Sequence, residues 1–156
     1  SSKTKDYSSA ITGSTAFDLN GDGKTEVIYN DEHYLRVYDG ETGEVLFYTS
    51  NGSGTLTEYP LVVDVDGSGM ANIVVASNDY AFGSHAGIRV FESPGKDWVG
   101  ARDIWNQHQY NAYNVARNGD VTNINKKKIW EGHISHSHLA GYRNNIPEGK
   151  RCFLPD

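Results

Sequence analysis

Residues 17–28 read FDLNGDGKTEVI, and residues 63–74 read VDVDGSGMANIV, with acidic, glycine and β-branched residues at matching positions. The two stretches lie 46 residues apart, from Asp18 to Asp64. Self-similarity at a fixed period of about 20 to 50 residues indicates a repeat architecture, in which each repeat is one supersecondary unit. The sequence therefore predicts two copies of one structural unit within the first hundred residues.

Short apolar segments flank each of these stretches and predict the strands of the unit. In the first copy they are residues 11–17, 26–29, 35–39 and 45–48, and in the second they are residues 61–63, 73–76 and 88–92. The third segments, LRVYD at 35–39 and IRVFE at 88–92, match at an offset of 53, which implies a seven-residue insertion in the second copy. Short alternating strands separated by glycine-rich turns favour antiparallel sheets.

We therefore predict an all-β chain with two four-stranded antiparallel propeller-type blades and an irregular aromatic-rich C-terminal segment. The predicted parts are an N-terminal extension at 1–9, a first blade at 10–56, a second blade at 57–97 and a C-terminal segment at 98–156 that packs on the blades. A blade takes about 40 to 45 residues, and a closed propeller needs at least about four blades. The expected partners are therefore the remaining blades of a longer parent chain or copies of this chain.

The loop inside each repeat carries oxygen side chains at a regular spacing. In the first loop Asp18, Asn20, Asp22 and Glu26 occupy positions 1, 3, 5 and 9, and Lys24 at position 7 offers its backbone carbonyl. Ca²⁺ prefers six to eight such oxygens, and nearby glycines permit the positive φ angles that wrap them around one point. Position 12 is a strand residue and not a bidentate Glu, so an EF-hand is excluded. An Asx turn with solvated acids is the alternative.

The second loop keeps the spacing with fewer charges. Its predicted ligands are Asp64, Asp66, Ser68, the Met70 carbonyl and Asn72, so it has two carboxylates where the first loop has three. Ligand charge is one determinant of calcium affinity, so we predict two Ca²⁺ sites, of which the first is tighter. A turn without an ion is again the alternative.

The two loops with their flanking strands resemble FG-GAP or VCBS-type repeats, the calcium-loop blades of integrin-like β-propellers. The resemblance covers about residues 10–100 and implies calcium ligation by the ten loop residues named above. It extends to the run WVGARDIWNQHQYN at 98–111, which is similar to a segment that closes such repeat arrays in large secreted or surface proteins. The sequence departs from that pattern at Asp103, where proline is expected.

The segment at 98–111 also supports two interpretations from its residues alone. Aromatic faces and amides can form a ligand platform, or they can cover the end of the last sheet and satisfy its backbone groups. The candidate ligand residues are Trp98, Trp105, Asn106, Gln107, His108 and Tyr110.

Three further features of the sequence concern possible sites. One is the cluster of His133, His136 and His138, which lacks a neighbouring Cys or carboxylate at metal-ligand spacing. Another is Cys152, which is the single cysteine and therefore cannot form an internal disulfide. Asn51 begins an N-glycosylation sequon in a turn-like stretch. No catalytic residue is predicted, because no nucleophile, acid/base pair or cofactor motif can be assembled.

Charge and hydropathy narrow the functional classes. The net charge of −6 argues against nucleic-acid binding, because phosphate groups are bound by clustered positive charge. No apolar stretch reaches the length of a membrane span. Extracellular calcium would fill both loops, so the chain is expected outside the cell or on its surface. We predict a non-enzymatic calcium-binding module for adhesion, surface assembly or protein or glycan binding. The alternative is a fragment of a secreted propeller enzyme such as a polysaccharide lyase.

Overall fold

The computed structural model describes residues 4, 12–80, 82–83, 85–112, 115–121, 143, 145 and 147–148. These residues contain no helix and form nine strands, so the all-β prediction is confirmed for this part of the chain. The strands are β1 Ser14–Phe17, β2 Glu26–Asn30, β3 Tyr34–Asp39, β4 Val45–Ser50, β5 Leu61–Val63, β6 Asn72–Ser77, β7 Gly87–Phe91, β8 Gly100–Ala101 and β9 Pro147–Glu148.

The first sheet is antiparallel, with the strand order β1-β2-β3-β4. Burial alternates along β2, where Glu26, Ile28 and Asn30 are buried and the two residues between them are half-buried. This alternation is what a period-two strand produces when one of its faces packs against a core. A register shift between Val37 and Tyr38 marks an irregularity where β3 meets β4.

The second sheet is antiparallel, with the strand order β5-β6-β7. It has three strands within the described residues, so the prediction of a fourth strand in this sheet is wrong there. The chain leaves β7 through Ser93-Pro94-Gly95-Lys96, a turn closed by a hydrogen bond of 2.9 Å from Lys96 N to Ser93 O. Pro94 has no N–H to donate to a ladder, and Lys96 adopts a positive φ of 51°. The chain therefore turns away from the sheet at the point where a fourth strand would have begun.

The two sheets share one hydrophobic core. Phe17, Ile28 and Leu35 of the first sheet belong to the same buried cluster as Val62 and Ile73 of the second. Val99 and Ala101, which follow β7, belong to this cluster as well, and Trp98 packs against it. The start of the aromatic C-terminal segment therefore lies against both sheets.

The insertion of the second repeat lies between β6 and β7. Phe82 of this connection meets the ring of His33 edge-on at a centroid distance of 5.2 Å. Gly83 approaches Gly52 so closely that a Cβ added to Gly52 would lie 2.4 Å from the Gly83 Cα. The insertion thus folds back onto the β2–β3 connection and onto the residues that follow β4.

Asn51, which begins the sequon, is fully buried between the two sheets. Its side-chain amide donates to Asn30 Oδ1 at 2.9 Å and to the Ala76 carbonyl at 3.1 Å. Several predictions lie outside the described residues: nearly all of the N-terminal extension, the histidines at 133, 136 and 138, and Cys152.

Candidate metal site

The two acidic loops occupy the same position in the two sheets. Each connects the first strand of its sheet to the second, and Phe17 pairs with Glu26 as Val63 pairs with Asn72. The 46-residue offset between the two sequence stretches therefore also relates equivalent strand pairs in the two sheets. The loop glycines adopt the predicted positive φ angles, with values of 75° at Gly21 and 87° at Gly23.

In the first loop the Asp18 carboxylate organises the backbone. Its Oδ1 accepts N–H hydrogen bonds from Gly21 at 2.7 Å and Asp22 at 3.1 Å, and its Oδ2 accepts one from Gly23 at 2.9 Å. At the far end of the loop Glu26 Oε2 accepts the N–H of Leu19 at 2.7 Å. The two carboxylates thereby fix both ends of the loop, and both are buried.

The second loop repeats this arrangement almost bond for bond. Asp64 accepts N–H groups from Gly67 at 2.9 Å and Gly69 at 2.8 Å, and Asn72 Oδ1 accepts the N–H of Val65 at 3.0 Å. Each of these bonds is the counterpart, 46 residues on, of a bond in the first loop. Because Asn72 replaces Glu26, the second loop keeps the acceptor at this position but loses its charge.

The negative charges of the first loop are not fully balanced by neighbouring cationic side chains. Burial, together with the negative charges of Asp18 and Asp22, raises the pKa of Glu26 above its ordinary value of 4.5, although the hydrogen bond from Leu19 opposes the shift. The amino group of Lys24 does not offset this charge inside the loop, because it pairs at 2.7 Å with Glu41. A cation bound among the three carboxylates would offset the repulsion between their negative charges.

The electrostatics of the second loop differ. A hydrogen bond from the Ser68 side chain and a second from the Ser68 backbone hold the pKa of Asp66 below its ordinary value of 3.8. A small cavity of about 30 Å³ beside this loop is lined by Asp66 and Ser68 and also by Lys96. The second loop thus has fewer acids and a neighbouring cationic side chain.

The donor set of both loops is compatible with a hard cation. Each carboxylate or amide oxygen has two lone pairs, so an oxygen that accepts one N–H, such as Asp18 Oδ2 or Glu26 Oε2, retains one for an ion. Among the residues that the structure describes, no group of three His, Cys, Asp or Glu side chains has the arrangement of a metal site. The sets predicted here also include Asn and Ser oxygens and backbone carbonyls, which are oxygen ligands suited to Ca²⁺.

One residue that the sequence did not single out connects the two loops. The N–H of Val99 donates to the Leu19 carbonyl of the first loop at 2.8 Å, and the carbonyl of Val99 accepts the N–H of Ala71 in the second loop at 2.9 Å. Val99 itself is buried. An apolar residue in an extended segment carries no local signal for such a role, because the contact depends on how the two sheets pack.

The aromatic segment divides into buried and accessible side chains. Tyr110 is fully buried and stacks on Trp105 at a centroid distance of 4.8 Å, so its ring belongs to a small second core. Trp98 packs on the main core, and Asn106 donates at 2.8 Å to the Gly119 carbonyl.

An open hollow of about 370 Å³ lies beside the remaining part of this segment, lined by Trp105, Gln107 and His108. Tyr59, which the sequence did not single out, lines it too and receives a hydrogen bond of 3.3 Å from the Trp105 indole. Of the candidate ligand residues, Trp105, Gln107 and His108 are therefore brought together at one surface.

Comparison with known proteins agrees with the class that the loops define. Residues 18–75 match the family model of the FG-GAP-like repeat, which confirms the resemblance for the part of the chain that holds both loops. Among solved structures, the biofilm matrix protein Bap1 of V. cholerae is similar, with a TM-score of 0.71 and 32% sequence identity. The match covers 88% of this chain but 22% of Bap1, so the chain spans about a fifth of that protein's length. No curated protein matches the chain.

Proposed function

We propose that this chain is an extracellular calcium-binding module of β-propeller type that acts in adhesion, surface assembly or the binding of a protein or glycan. The observation that carries the proposal is the equivalence of the two loops. Two loops 46 residues apart use an aspartate at the first position and a side-chain oxygen at the ninth, from Glu26 or Asn72, to hold one backbone shape. In this proposal the shared shape holds the oxygen ligands of each loop around one ion.

Calcium has a structural role in this proposal. In the first loop Asp18, Asn20, Asp22, the Lys24 carbonyl and Glu26 would hold the ion. In the second loop the corresponding residues are Asp64, Asp66, Ser68, the Met70 carbonyl and Asn72. The ion supplies positive charge that offsets the repulsion among the acids, and because it binds the folded loop it stabilises the folded state by mass action.

The proposed location and role are supported by the two comparisons. FG-GAP-like repeats occupy residues 18–75, and the similar solved protein is described as a biofilm matrix protein. Among the described residues none forms a helix that could cross a membrane. The hollow beside Trp105, Gln107 and His108 is the candidate contact for a glycan or protein ligand.

Calcium titration by isothermal calorimetry tests the proposal. We expect two sites, with the first loop tighter because it has three carboxylates and the second has two. Asp18→Ala should remove the tighter site, and Asn72→Glu, which restores the acid that the first loop has at this position, should tighten the weaker one. Leu56→Lys, an exposed position outside both loops, is the control and should leave both sites unchanged. Two loops that do not respond below millimolar calcium would contradict the metal proposal.

The enzymatic alternative stays a prediction, because no observation in the described residues favours it. Eliminative cleavage of a polysaccharide by the calcium-loaded chain would replace the binding-module proposal with that of a lyase. The measurement is the rise in ultraviolet absorbance that accompanies each newly formed double bond, with chelator-treated protein as the control.

A further inference from the structure

The open hollow of about 370 Å³ lies between the start of β5 and the aromatic segment. Residues from 57–61 and from 105–108 line it, and they number seven. Its volume falls in the range of roughly 300 to 1,000 Å³ that small-molecule sites occupy. A standard protein interface takes about 20 to 30 residues from each partner. The hollow therefore has the size of a site for a small ligand or for a short part of a polymer.

The apolar part of the hollow is an aromatic group that its own contacts hold in place. Tyr110 stacks on one face of the Trp105 indole at a centroid distance of 4.8 Å, so a ligand ring that stacks on this indole must use the other face. The indole N–H donates to the Tyr59 hydroxyl at 3.3 Å, and that hydroxyl donates to the His108 carbonyl. Trp105 and the neighbouring Leu61 are half-buried, so both keep accessible surface. The C–H groups of a sugar ring pack well against such a surface.

The polar part of the hollow includes two fixed hydrogen-bond acceptors. Glu58 Oε1 accepts the Ser53 hydroxyl at 2.7 Å and Oε2 accepts the Leu56 N–H at 3.2 Å, and each oxygen keeps a lone pair for a ligand. The Nε2 of His108 lies 3.1 Å from the Thr57 carbonyl. Because a carbonyl can only accept, Nε2 carries the proton, and Nδ1 of the neutral ring is an acceptor. Ligand hydroxyls, which donate, complement both groups.

The charge of the hollow disfavours an anionic ligand. Burial raises the pKa of Glu58, but hydrogen bonds from Ser53 and from backbone groups outweigh it and hold that pKa below 4.5, so the carboxylate is charged at neutral pH. No cationic side chain among the described residues lines the hollow. The Arg143 guanidinium packs over the Tyr59 ring at 4.1 Å and is not one of the lining groups. A sugar acid would therefore bring its carboxylate towards Glu58 with no cation from this lining to offset the repulsion.

The backbone that leads into the hollow has an unusual conformation. Thr55 is fully buried and adopts a φ of 52°, which β-branched residues rarely take. Its N–H donates to the Ser53 hydroxyl oxygen at 2.9 Å, and the same hydroxyl donates to Glu58. Strained residues persist only where their surroundings fix them, and they cluster at ligand-binding segments. The conformation of Thr55 is thus a separate indication that this segment is shaped for a ligand.

We propose that the hollow binds a neutral polysaccharide, with one pyranose ring stacked on Trp105 and hydroxyls of the sugar donating to Glu58 and to Nδ1 of His108. The Gln107 amide, which both donates and accepts, bonds a further hydroxyl. This inference rests on the proposed function, because it names the ligand class of the same binding module. None of the proposed calcium ligands lines the hollow, so the sugar site and the calcium sites can be tested separately.

Glycan binding by the full calcium-loaded chain tests the proposal. An array of neutral oligosaccharides of glucose, mannose and galactose identifies the sugars that bind. Calorimetry then compares each of these sugars with its uronic acid counterpart, which differs only in carrying a carboxylate at C6. We expect the uronic acid form to bind at least about tenfold more weakly, because its charge meets that of Glu58. Glu58→Gln should narrow this difference.

Two glutamines provide a matched pair of variants. Gln107→Ala should weaken binding of the neutral sugar about three- to tenfold, which corresponds to one hydrogen bond. Gln109→Ala, at an exposed position that does not line the hollow, should leave binding unchanged. Trp105→Leu removes the stacking ring but keeps an apolar side chain beside the second core, and it should weaken binding by more than Gln107→Ala does. Circular dichroism melting checks that each variant folds.

The outcomes separate this inference from the proposed function. If no neutral oligosaccharide binds, or if the uronic acid forms bind more tightly, the sugar proposal is overturned, and a protein becomes the ligand to test at this hollow. Binding that survives both Gln107→Ala and Trp105→Leu would place the sugar elsewhere and would also overturn it. In each case the calcium titration still decides the calcium proposal. Sugar binding by a chain that binds no calcium would refute the calcium proposal alone.

Discussion

Replacing Asp18 by alanine provides the most informative single test of the first loop, because this side chain holds the loop backbone and is also a proposed calcium ligand. The substitution removes the acceptor of three N–H groups, those of Gly21, Asp22 and Gly23. A hydrogen bond to a charged group contributes about 1.5 to 3 kcal/mol when both groups are well buried. The bonds here are only partly buried, and we therefore assign about 1 kcal/mol to each and about 3 kcal/mol to the three.

The second loop provides the matched control. Asp64 accepts two of the corresponding N–H groups, from Gly67 and Gly69, so Asp64→Ala should cost about 2 kcal/mol on the same scale. Asp18→Asn should cost about 1 kcal/mol, because its amide oxygen can still accept two bonds while its amide nitrogen cannot accept the third. Urea unfolding with chelator present measures these free energies. An Asp18→Ala cost below that of Asp64→Ala would refute the assignment of the backbone bonds.

The same variants in calcium test the metal proposal separately. An ion that binds only the folded state adds about 2.7 kcal/mol when its free concentration is one hundred times the dissociation constant. Wild-type protein should gain stability from both loops, whereas Asp18→Ala should gain only what the second loop supplies. An equal gain in both proteins would refute calcium binding at the first loop and leave the hydrogen-bond assignment standing.

Two further predictions concern residues outside the loops. Burial raises the pKa of Glu58, but hydrogen bonds from Ser53, from the Leu56 N–H and from other backbone groups outweigh it and bring the pKa below its ordinary 4.5. Glu58 therefore stabilises the fold above pH 4.5 and loses this contribution as the pH falls through its lowered pKa. Glu58→Gln should melt below wild type at pH 7 and match it in strong acid; an equal difference at both pH values would count against this. Asn51→Ala should cost about 2 to 4 kcal/mol in urea unfolding, because it leaves buried groups of both sheets unpaired, and a loss under about 1 kcal/mol would contradict this role.

The loops and most strands could be predicted from sequence because their determinants are local. The spacing of Asp18, Gly21 and Gly23 specifies one tight backbone path, since the carboxylate reaches N–H groups three to five residues ahead and the glycines allow the required φ. Alternating apolar residues then specify the strands on either side. For the same reason, the 46-residue offset between the repeats also relates individual hydrogen bonds of the first loop to those of the second.

The features that the sequence did not reveal depend on contacts between distant segments. Asn51 occupies a turn-like sequence but is buried because the second sheet brings the Ala76 carbonyl to its amide. The second sheet lacks the predicted fourth strand in the described residues because Pro94 and the following turn redirect the chain, whereas the first sheet continues through Gly43 into β4. The exposure of Ile88 could not be inferred from its apolar character, which it shares with the buried Leu35.

Val99 has a consequence for how the loops move. Its N–H is bonded to the first loop and its carbonyl to the second, so neither loop can open fully without breaking a hydrogen bond at this residue. Because one residue makes both bonds, we expect the opening equilibria of the two loops to be thermodynamically linked. By reciprocity, any stabilisation that one loop confers on the other is returned with the same free energy. Amide hydrogen exchange at Val99 would report on the first loop, and exchange at Ala71 would report on the second.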